Sequence, residues 1–179
     1  MPLLKPISGH TSCRGVYRYL TKDGRALAAD YLNLDAPDRE GAAFDWAAAM
    51  DGTRSRWRND TPWGGRPCRT YKHYVLSPDP EDHVGLDDLR ELTVSWAREH
   101  FGDYEVTIVY HGDNAGRIPH AHVVVNNTNV VTGRHLQDPD PKELKLPRQR
   151  MAYERGSESA LVRMSRMSAN HGPHSAFAN

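Results

Sequence analysis

Two histidines separated by one residue lie in a stretch of sequence that is typical of a β-strand. The stretch reads His120-Ala-His-Val-Val-Val-Asn126. Because successive side chains of a strand point to opposite faces, His120 and His122 are predicted to share one face, roughly 6.6 Å apart along the strand. The alanine and valines between and after them then form an apolar face. Two imidazoles placed in this way can converge on a single ion.

A second strand is predicted just before the first, and it ends in a third histidine. Residues 105–111 alternate between apolar and polar side chains, and the short segment that follows contains Gly and Asn residues suited to a hairpin loop. Such a hairpin would bring His111 beside His120 and His122. Three neutral imidazole nitrogens on one metal leave positions open for substrate and water, as in catalytic metal sites.

Hydrophobic periodicity predicts the remaining elements. Helices are expected at about 11–20, 44–57 and 85–101, and further strands at 3–7 and 69–77, while residues 31–34 are ambiguous. This order favours an α+β fold with a mainly antiparallel central sheet. We expect the helices to pack on one side of that sheet and the histidines to lie on its other side or at its edge.

Length and composition limit the class of protein. The chain has 179 residues, of which 38% are hydrophobic and 26% charged, which suits one polar globular domain with a real core. No apolar run approaches the ~20 residues of a membrane span. The N-terminus lacks the apolar core of a signal peptide, and Cys13 and Cys68 form no CxxC pair. We therefore expect a cytoplasmic protein.

Charge is balanced overall but unevenly distributed. The formal net charge is zero, yet the segment from Arg54 to Lys72 contains six basic residues and a single acid, Asp60. Among the charged residues of segment 79–105, acids outnumber bases. Such segregation allows a basic face that binds phosphates, although solvated surface charge is an equally good interpretation. Arginines and tryptophans of this basic stretch are candidates for DNA contacts, namely Arg54, Arg56, Arg58, Trp57 and Trp63.

The block His111-x-Asp-x5-Pro-His-x-His-Val-Val-Val-Asn126 resembles the metal-binding motif of conjugative relaxases. These are the plasmid mobilization nucleases of the His-hydrophobe-His endonuclease superfamily. The opening Lys5-Pro-Ile-Ser8 followed by Tyr19-Leu-Thr21 is similar to the first motif of that family, and His73-Tyr-Val-Leu-Ser77 is similar to the second. The motifs occur in the family's order, so the resemblance covers most of the chain and implies a relaxase-type, ferredoxin-like (RRM-like) palm.

The resemblance also implies an activity and its residues. A relaxase nicks and rejoins one DNA strand at a plasmid transfer origin through a covalent 5′-phosphotyrosine. Tyr19 would be the nucleophile, and His111, His120 and His122 would hold a divalent metal, Mg²⁺ or Mn²⁺. Asp113 would orient one of these histidines, because ligating imidazoles usually need such a partner. The predicted DNA contacts are Ser77, Arg69 and Lys72.

Several of these assignments have competitors. Tyr17 and Tyr31 are the other candidate nucleophiles, but Tyr17 falls on the apolar stripe of the first helix, whereas Tyr19 lies off it. Asp113 is equally suited to a turn, and Ser77 to a strand-ending Ser-Pro turn.

The resemblance implies single-stranded DNA as the partner, with a hairpin beside the nick, and accessory relaxosome proteins. We expect one nuclease domain over 1–179, with a basic segment at about 142–167 and a disordered tail at 168–179. Many relaxases carry further regions after the nuclease, so the chain is either a stand-alone domain or part of a longer protein.

Three other functions share some of these residues. A phosphodiesterase that uses a metal-bound water needs the histidines but no tyrosine. A non-catalytic nucleic-acid-binding module would keep the histidines for structural reasons. A replication initiator of the same superfamily usually places its tyrosine after the metal motif, whereas Tyr19 precedes the motif in this chain. That order favours mobilization over replication.

Overall fold

A computed structural model of the chain describes residues 3–39, 42–62, 64–139 and 144. The fold belongs to the compact unit of residues 1–144. Apart from Leu144, the predicted basic segment at 142–167 and the tail at 168–179 lie outside the described residues. The single domain over 1–179 therefore stays a prediction. Among the described helices, none is long and apolar enough to cross a membrane.

Five strands form one antiparallel sheet in the order β1-β3-β5-β4-β2. The strands that carry His111 and His120 are neighbours inside the sheet and are joined by the expected hairpin, with His111 directly opposite His120. The strands are β1 (Leu3–Gly9), β2 (Ala28–Leu32), β3 (Tyr71–Ser77), β4 (Tyr104–His111) and β5 (His120–Asn129).

The three predicted helices are all present. They are α1 (Arg14–Thr21), α2 (Trp46–Arg56) and α3 (Leu86–Phe101). The Asp45 carboxylate caps α2 by accepting a hydrogen bond from the backbone N–H of Ala48 at 3.0 Å. Short 3-10 turns at Lys22–Gly24 and Pro80–Asp82 connect α1 to β2 and lead from β3 into α3.

The α+β class and the antiparallel sheet are confirmed, but the helices are distributed differently from the expectation. On one face of the sheet, Tyr74 of β3 packs against Trp96 and Phe101 of α3. On the other face, α1 and α2 pack against Val109 and Val124. Helices therefore cover both faces, and α1 and α2 lie on the face that carries the histidines.

The packing of α1 determines which of its side chains remain in solvent. Val16 and Leu20 are buried against Trp46 and Met50 of α2. Burial of each large apolar side chain stabilises the fold by about 1.5–3 kcal/mol. Because successive residues of a helix point about 100° apart, burying Leu20 turns Tyr19 outward.

Candidate metal centre and nucleophile

Three histidines of β4 and β5 come together at the hairpin end of the sheet. One ring nitrogen each of His111, His120 and His122 lies within 4.8 Å of the others. The ring of His122 is 4.7 Å from that of His111 and 5.1 Å from that of His120, measured between centroids. The structure thus brings together the three residues that the sequence singled out as metal ligands.

Hydrogen bonds to backbone carbonyls orient two of the three rings. Nε2 of His111 lies 2.8 Å from the carbonyl oxygen of Leu20, and Nδ1 of His120 lies 3.3 Å from that of Ile118. A carbonyl oxygen only accepts, so these nitrogens carry the protons. The lone pairs of Nδ1 in His111 and Nε2 in His120 are then available to a metal ion.

A fourth histidine, His73 of β3, orients the third ring. Its Nε2 lies 3.0 Å from Nδ1 of His122, and the side chains of both residues are buried. One nitrogen must donate and the other accept. If His122 donates, its Nε2 is unprotonated and can bind a metal; if His73 donates, Nε2 of His122 carries the proton instead. A metal-binding His122 therefore needs His73 as the acceptor.

Burial favours the neutral form of three of these histidines, His73, His111 and His122. Burial, reinforced by the nearby His73 and His111, lowers the pKa of His122 to about 3. Burial and the charge of His111 lower the pKa of His73 to about 4, and burial is also the main cause of the lowered pKa of His111. Three rings that each have one nitrogen hydrogen-bonded and the other within reach of its neighbours fit a divalent metal ion.

Tyr19 is placed beside this cluster and is open to solvent. Its side chain is 55% exposed, and its ring meets the ring of His122 edge-on, with 6.2 Å between the centroids. The two competing tyrosines are engaged elsewhere. Tyr17 packs on Trp46 at 5.3 Å, and Tyr31 packs on Phe44 at 5.0 Å.

The last turn of α1 is tied to the site through two consecutive carbonyl groups. Helix C-termini leave carbonyl oxygens without partners inside the helix. Here the Leu20 carbonyl accepts from His111, and the Tyr19 carbonyl accepts from the guanidinium of Arg25. The carbon at the centre of that guanidinium also lies 4.5 Å from the centroid of the Tyr19 ring. The sequence analysis did not single out Arg25.

Asp113 lies between Arg25 and the histidines. One of its carboxylate oxygens is 3.3 Å from Arg25 Nη1, and the other is 3.7 Å from His120 Nε2. The longer distance exceeds that of a hydrogen bond. The ring-orienting contacts come instead from Leu20, Ile118 and His73, none of which the sequence analysis assigned to that role.

The predicted DNA contacts differ in their position relative to the histidines. Arg69 and Lys72 both form ion pairs with Asp138, at 2.5 and 3.3 Å. By strand alternation Lys72 is on the face opposite the histidines, whereas Ser77 is on the same face as His73. Leu76 pairs with Ala121, so Ser77 ends β3 next to the His120 end of β5, whereas Arg69 and Lys72 lie away from the histidine cluster.

A five-stranded antiparallel sheet that brings three histidines together beside an exposed tyrosine is the arrangement that the sequence motifs predicted for a relaxase-type nuclease. Residues 19–156 match the family "Relaxase: MobA/VirD2-like, nuclease domain", and the chain belongs to this family. It is accordingly a DNA relaxase enzyme, as the sequence motifs predicted.

A solved structure shares the fold. It is described as the MobM relaxase domain (MOBV; Mob_Pre) bound to 23 nucleotides of plasmid pMV158 oriT DNA, with Mn bound. The superposition has a TM-score of 0.52 at 13% sequence identity and covers 87% of this chain and 85% of that one. At this identity the similarity supports the fold alone. No curated protein sequence matches the chain.

Proposed function

We propose that this relaxase nicks and rejoins one strand of DNA at a plasmid transfer origin, with Tyr19 as the nucleophile. The observation that carries the proposal is the exposed Tyr19 ring beside His122, at 6.2 Å between ring centroids. A tyrosine far from the histidine cluster could not attack a phosphate that is bound at that cluster. Tyr17 and Tyr31 pack against aromatic rings of the core instead.

The reaction is a transesterification that conserves the phosphodiester bond energy. The phenol oxygen of Tyr19 forms a bond to the scissile phosphorus as the phenol proton is lost. The bond from phosphorus to the 3′ oxygen breaks, and that oxygen takes up a proton to become a free 3′-hydroxyl. The 5′ phosphate remains on Tyr19, so attack by a 3′-hydroxyl reverses the step.

His111, His120 and His122 are the proposed ligands of a divalent metal. When bound, such an ion supplies Lewis-acid stabilisation of the negative charge on the phosphate. Imidazole nitrogens suit later transition metals, whereas the family resemblance implies Mg²⁺ or Mn²⁺, and Mn²⁺ is the first ion to test. The MobM relaxase domain, which shares the fold, contains bound Mn.

The proposed substrate is single-stranded DNA with a hairpin next to the nick. The fold-sharing MobM domain is bound to oriT DNA, and a tyrosine at a protein surface reaches a phosphate more readily when no complementary strand covers it. Ser77, Arg69 and Lys72 remain the proposed DNA contacts, with Arg69 and Lys72 exchanging Asp138 for phosphates. Accessory relaxosome proteins and a cytoplasmic location belong to the same proposal.

The test is capture of the covalent adduct. The protein is incubated with Mn²⁺ and a pool of single-stranded oligonucleotides that carry a randomised central segment and a 3′ label. We expect a labelled band that migrates with the protein on a denaturing gel, and sequencing of its DNA defines one substrate. The band should disappear in Tyr19→Phe and persist in Tyr17→Phe and Tyr31→Phe.

Two other outcomes decide against the proposal. If no adduct forms and the DNA is still cleaved by all three tyrosine variants, the protein is a phosphodiesterase that uses water. Binding that is unaffected by chelation, with no cleavage in any metal, would identify a binding module.

A further inference from the structure

Arg25 follows the 3-10 turn after α1 and contacts both Tyr19 and the metal-site loop. Its guanidinium stacks on the Tyr19 ring at 4.5 Å and donates a hydrogen bond to the Tyr19 carbonyl. Its Nη1 pairs with Asp113 at 3.3 Å, and Asp113 reaches to within 3.7 Å of His120. One side chain thus connects the ring and backbone of Tyr19 to Asp113, in the loop that precedes His120.

These contacts contribute little to folding. The Arg25 side chain is 26% and the Asp113 side chain 43% exposed, and ion pairs as open to solvent as this one add little to stability. Arg25 Nε is moreover buried without a hydrogen-bond partner among the described residues, which is unfavourable for the folded state. An arginine held at such a cost is better explained by what it does to its neighbours.

We propose that Arg25 is a positioning residue that holds the Tyr19 ring in the orientation for attack and, through its ion pair with Asp113, anchors it to the loop beside the metal centre. The inference rests on the proposed role of Tyr19. The planar guanidinium stacks on an aromatic ring and donates in two directions at once, and a lysine ammonium does not reproduce this geometry. Arg25 holds the Tyr19 ring from one face, and His111 holds the next residue, Leu20, by a hydrogen bond to its carbonyl.

The kinetic test compares Arg25→Ala, Arg25→Lys and Arg18→Ala on the oligonucleotide recovered from the adduct. Arg18 is an exposed arginine that immediately precedes Tyr19, so its variant removes the same charge. Misplacement of a reacting group by about 1 Å costs roughly 100-fold in rate. We expect Arg25→Ala to slow adduct formation at saturating DNA and Mn²⁺ by roughly 10–100-fold. Arg25→Lys should recover part of this loss, and Arg18→Ala should react at the parent rate.

Binding measurements separate positioning from structural damage. Mn²⁺ alone, titrated calorimetrically, should bind Arg25→Ala as tightly as the parent protein. The DNA concentration at half-maximal rate should also stay unchanged, so that the defect appears in the maximal rate. Loss of Mn²⁺ binding together with activity would overturn the inference, as would an Arg25→Ala variant that reacts at the parent rate.

A spectroscopic measurement tests the contact independently of activity. Protein labelled with 3-fluorotyrosine gives one ¹⁹F resonance per tyrosine, and the Tyr19→Phe variant identifies that of Tyr19. We expect Arg25→Ala to shift this resonance and Arg18→Ala to leave it in place. An adduct that persists in Tyr19→Phe refutes the proposed function itself. An unshifted resonance with an intact Tyr19-dependent adduct refutes only the role of Arg25.

Discussion

Each imidazole of the metal centre has its second nitrogen engaged, and each partner comes from a different part of the chain. Leu20 belongs to α1, Ile118 to the β4–β5 loop and His73 to β3. Such partners fix both the tautomer and the orientation of a ligating ring. The partner of His122 differs from the others because an imidazole, unlike a carbonyl, can either donate or accept.

Replacing His73 by Phe should therefore weaken metal binding without removing a ligand. Phe fills a similar volume but accepts no hydrogen bond from His122, and loss of such a partner typically costs 10–100-fold in metal affinity. We expect Mn²⁺ affinity, measured by calorimetry, to fall by roughly that factor, while adduct formation recovers at saturating Mn²⁺. His73→Gln, which keeps an acceptor, should lose less. Parent affinity in His73→Phe would show that the contact with His122 is incidental.

Acidification should destabilise the metal-free protein in a range where carboxylates are still ionised. The pKa values of His73 and His122 lie at about 4 and about 3 in the fold, against 6.5 for an ordinary histidine. Below pH 6.5 the unfolded chain therefore binds protons that the folded chain does not, and stability falls with pH. Each such group contributes about 1.4 kcal/mol per pH unit.

Urea denaturation checks this dependence. The free energy of unfolding should decrease by about 2 kcal/mol or more between pH 6.5 and about pH 5. His73→Phe should show a shallower decrease, whereas His10→Gln, which alters an exposed histidine, should follow the parent protein. A free energy of unfolding that does not change over this range would contradict the assigned direction of the pKa shifts.

At the scale of elements, α1 depends on α2 for its first turn. The N-cap residue Cys13 provides no side-chain hydrogen bond to α1. Instead, the Asp51 carboxylate of α2 accepts from the Cys13 backbone N–H at 2.9 Å and pairs with the buried Arg54 at 2.5 Å. The N-terminus of the helix that carries Tyr19 is thus held by a neighbouring helix.

Asp51→Ala should consequently destabilise the fold more than Asp45→Ala. Removing one partner of a buried charge typically costs 3–5 kcal/mol, and Arg54 keeps Asp60 at 3.1 Å, so we expect a loss of about 3 kcal/mol. Asp45 caps α2 and pairs with Arg14 at 2.7 Å at the surface, where the cap contributes about 1 kcal/mol and the exposed ion pair adds little. Urea denaturation of both variants measures the difference, and equal losses would contradict the inter-helix cap.

For the whole molecule, the sequence predicted the strands and helices whose side chains repeat regularly. It located β4, β5 and α3 closely, because alternation and the 3.6-residue period persist over many residues. It missed β2 (Ala28–Leu32), an edge strand with four half-buried residues and therefore no clear alternation. It also placed the helices on one side, because periodicity shows that a helix has an apolar face but not which face of the sheet receives it.

The candidate site was predictable to a similar extent. The i, i+2 spacing within a strand predicted that His120 and His122 share a face. The hairpin loop predicted after residue 111 placed His111 beside them. Contacts that join residues distant in sequence were not accessible in this way. His73 and His122 are 49 positions apart, and Arg25 and Asp113 are 88 apart. Such pairs depend on the sheet order, which no local pattern specifies.

Metal binding should stabilise the entire fold, because the three proposed ligands lie on the adjacent strands β4 and β5 inside the sheet. An ion that binds only the folded chain, at 100 times its dissociation constant, adds about 2.7 kcal/mol of stability. For a chain of this size that raises Tm by about 5–10 °C. We expect this shift with Mn²⁺ and its reversal by EDTA. It should appear equally in circular dichroism and in tryptophan fluorescence, because Trp46 and Trp96 lie on opposite faces of the sheet.

His120→Ala should melt at the same temperature with and without Mn²⁺. An equal shift in that variant would place the stabilising ion elsewhere on the protein.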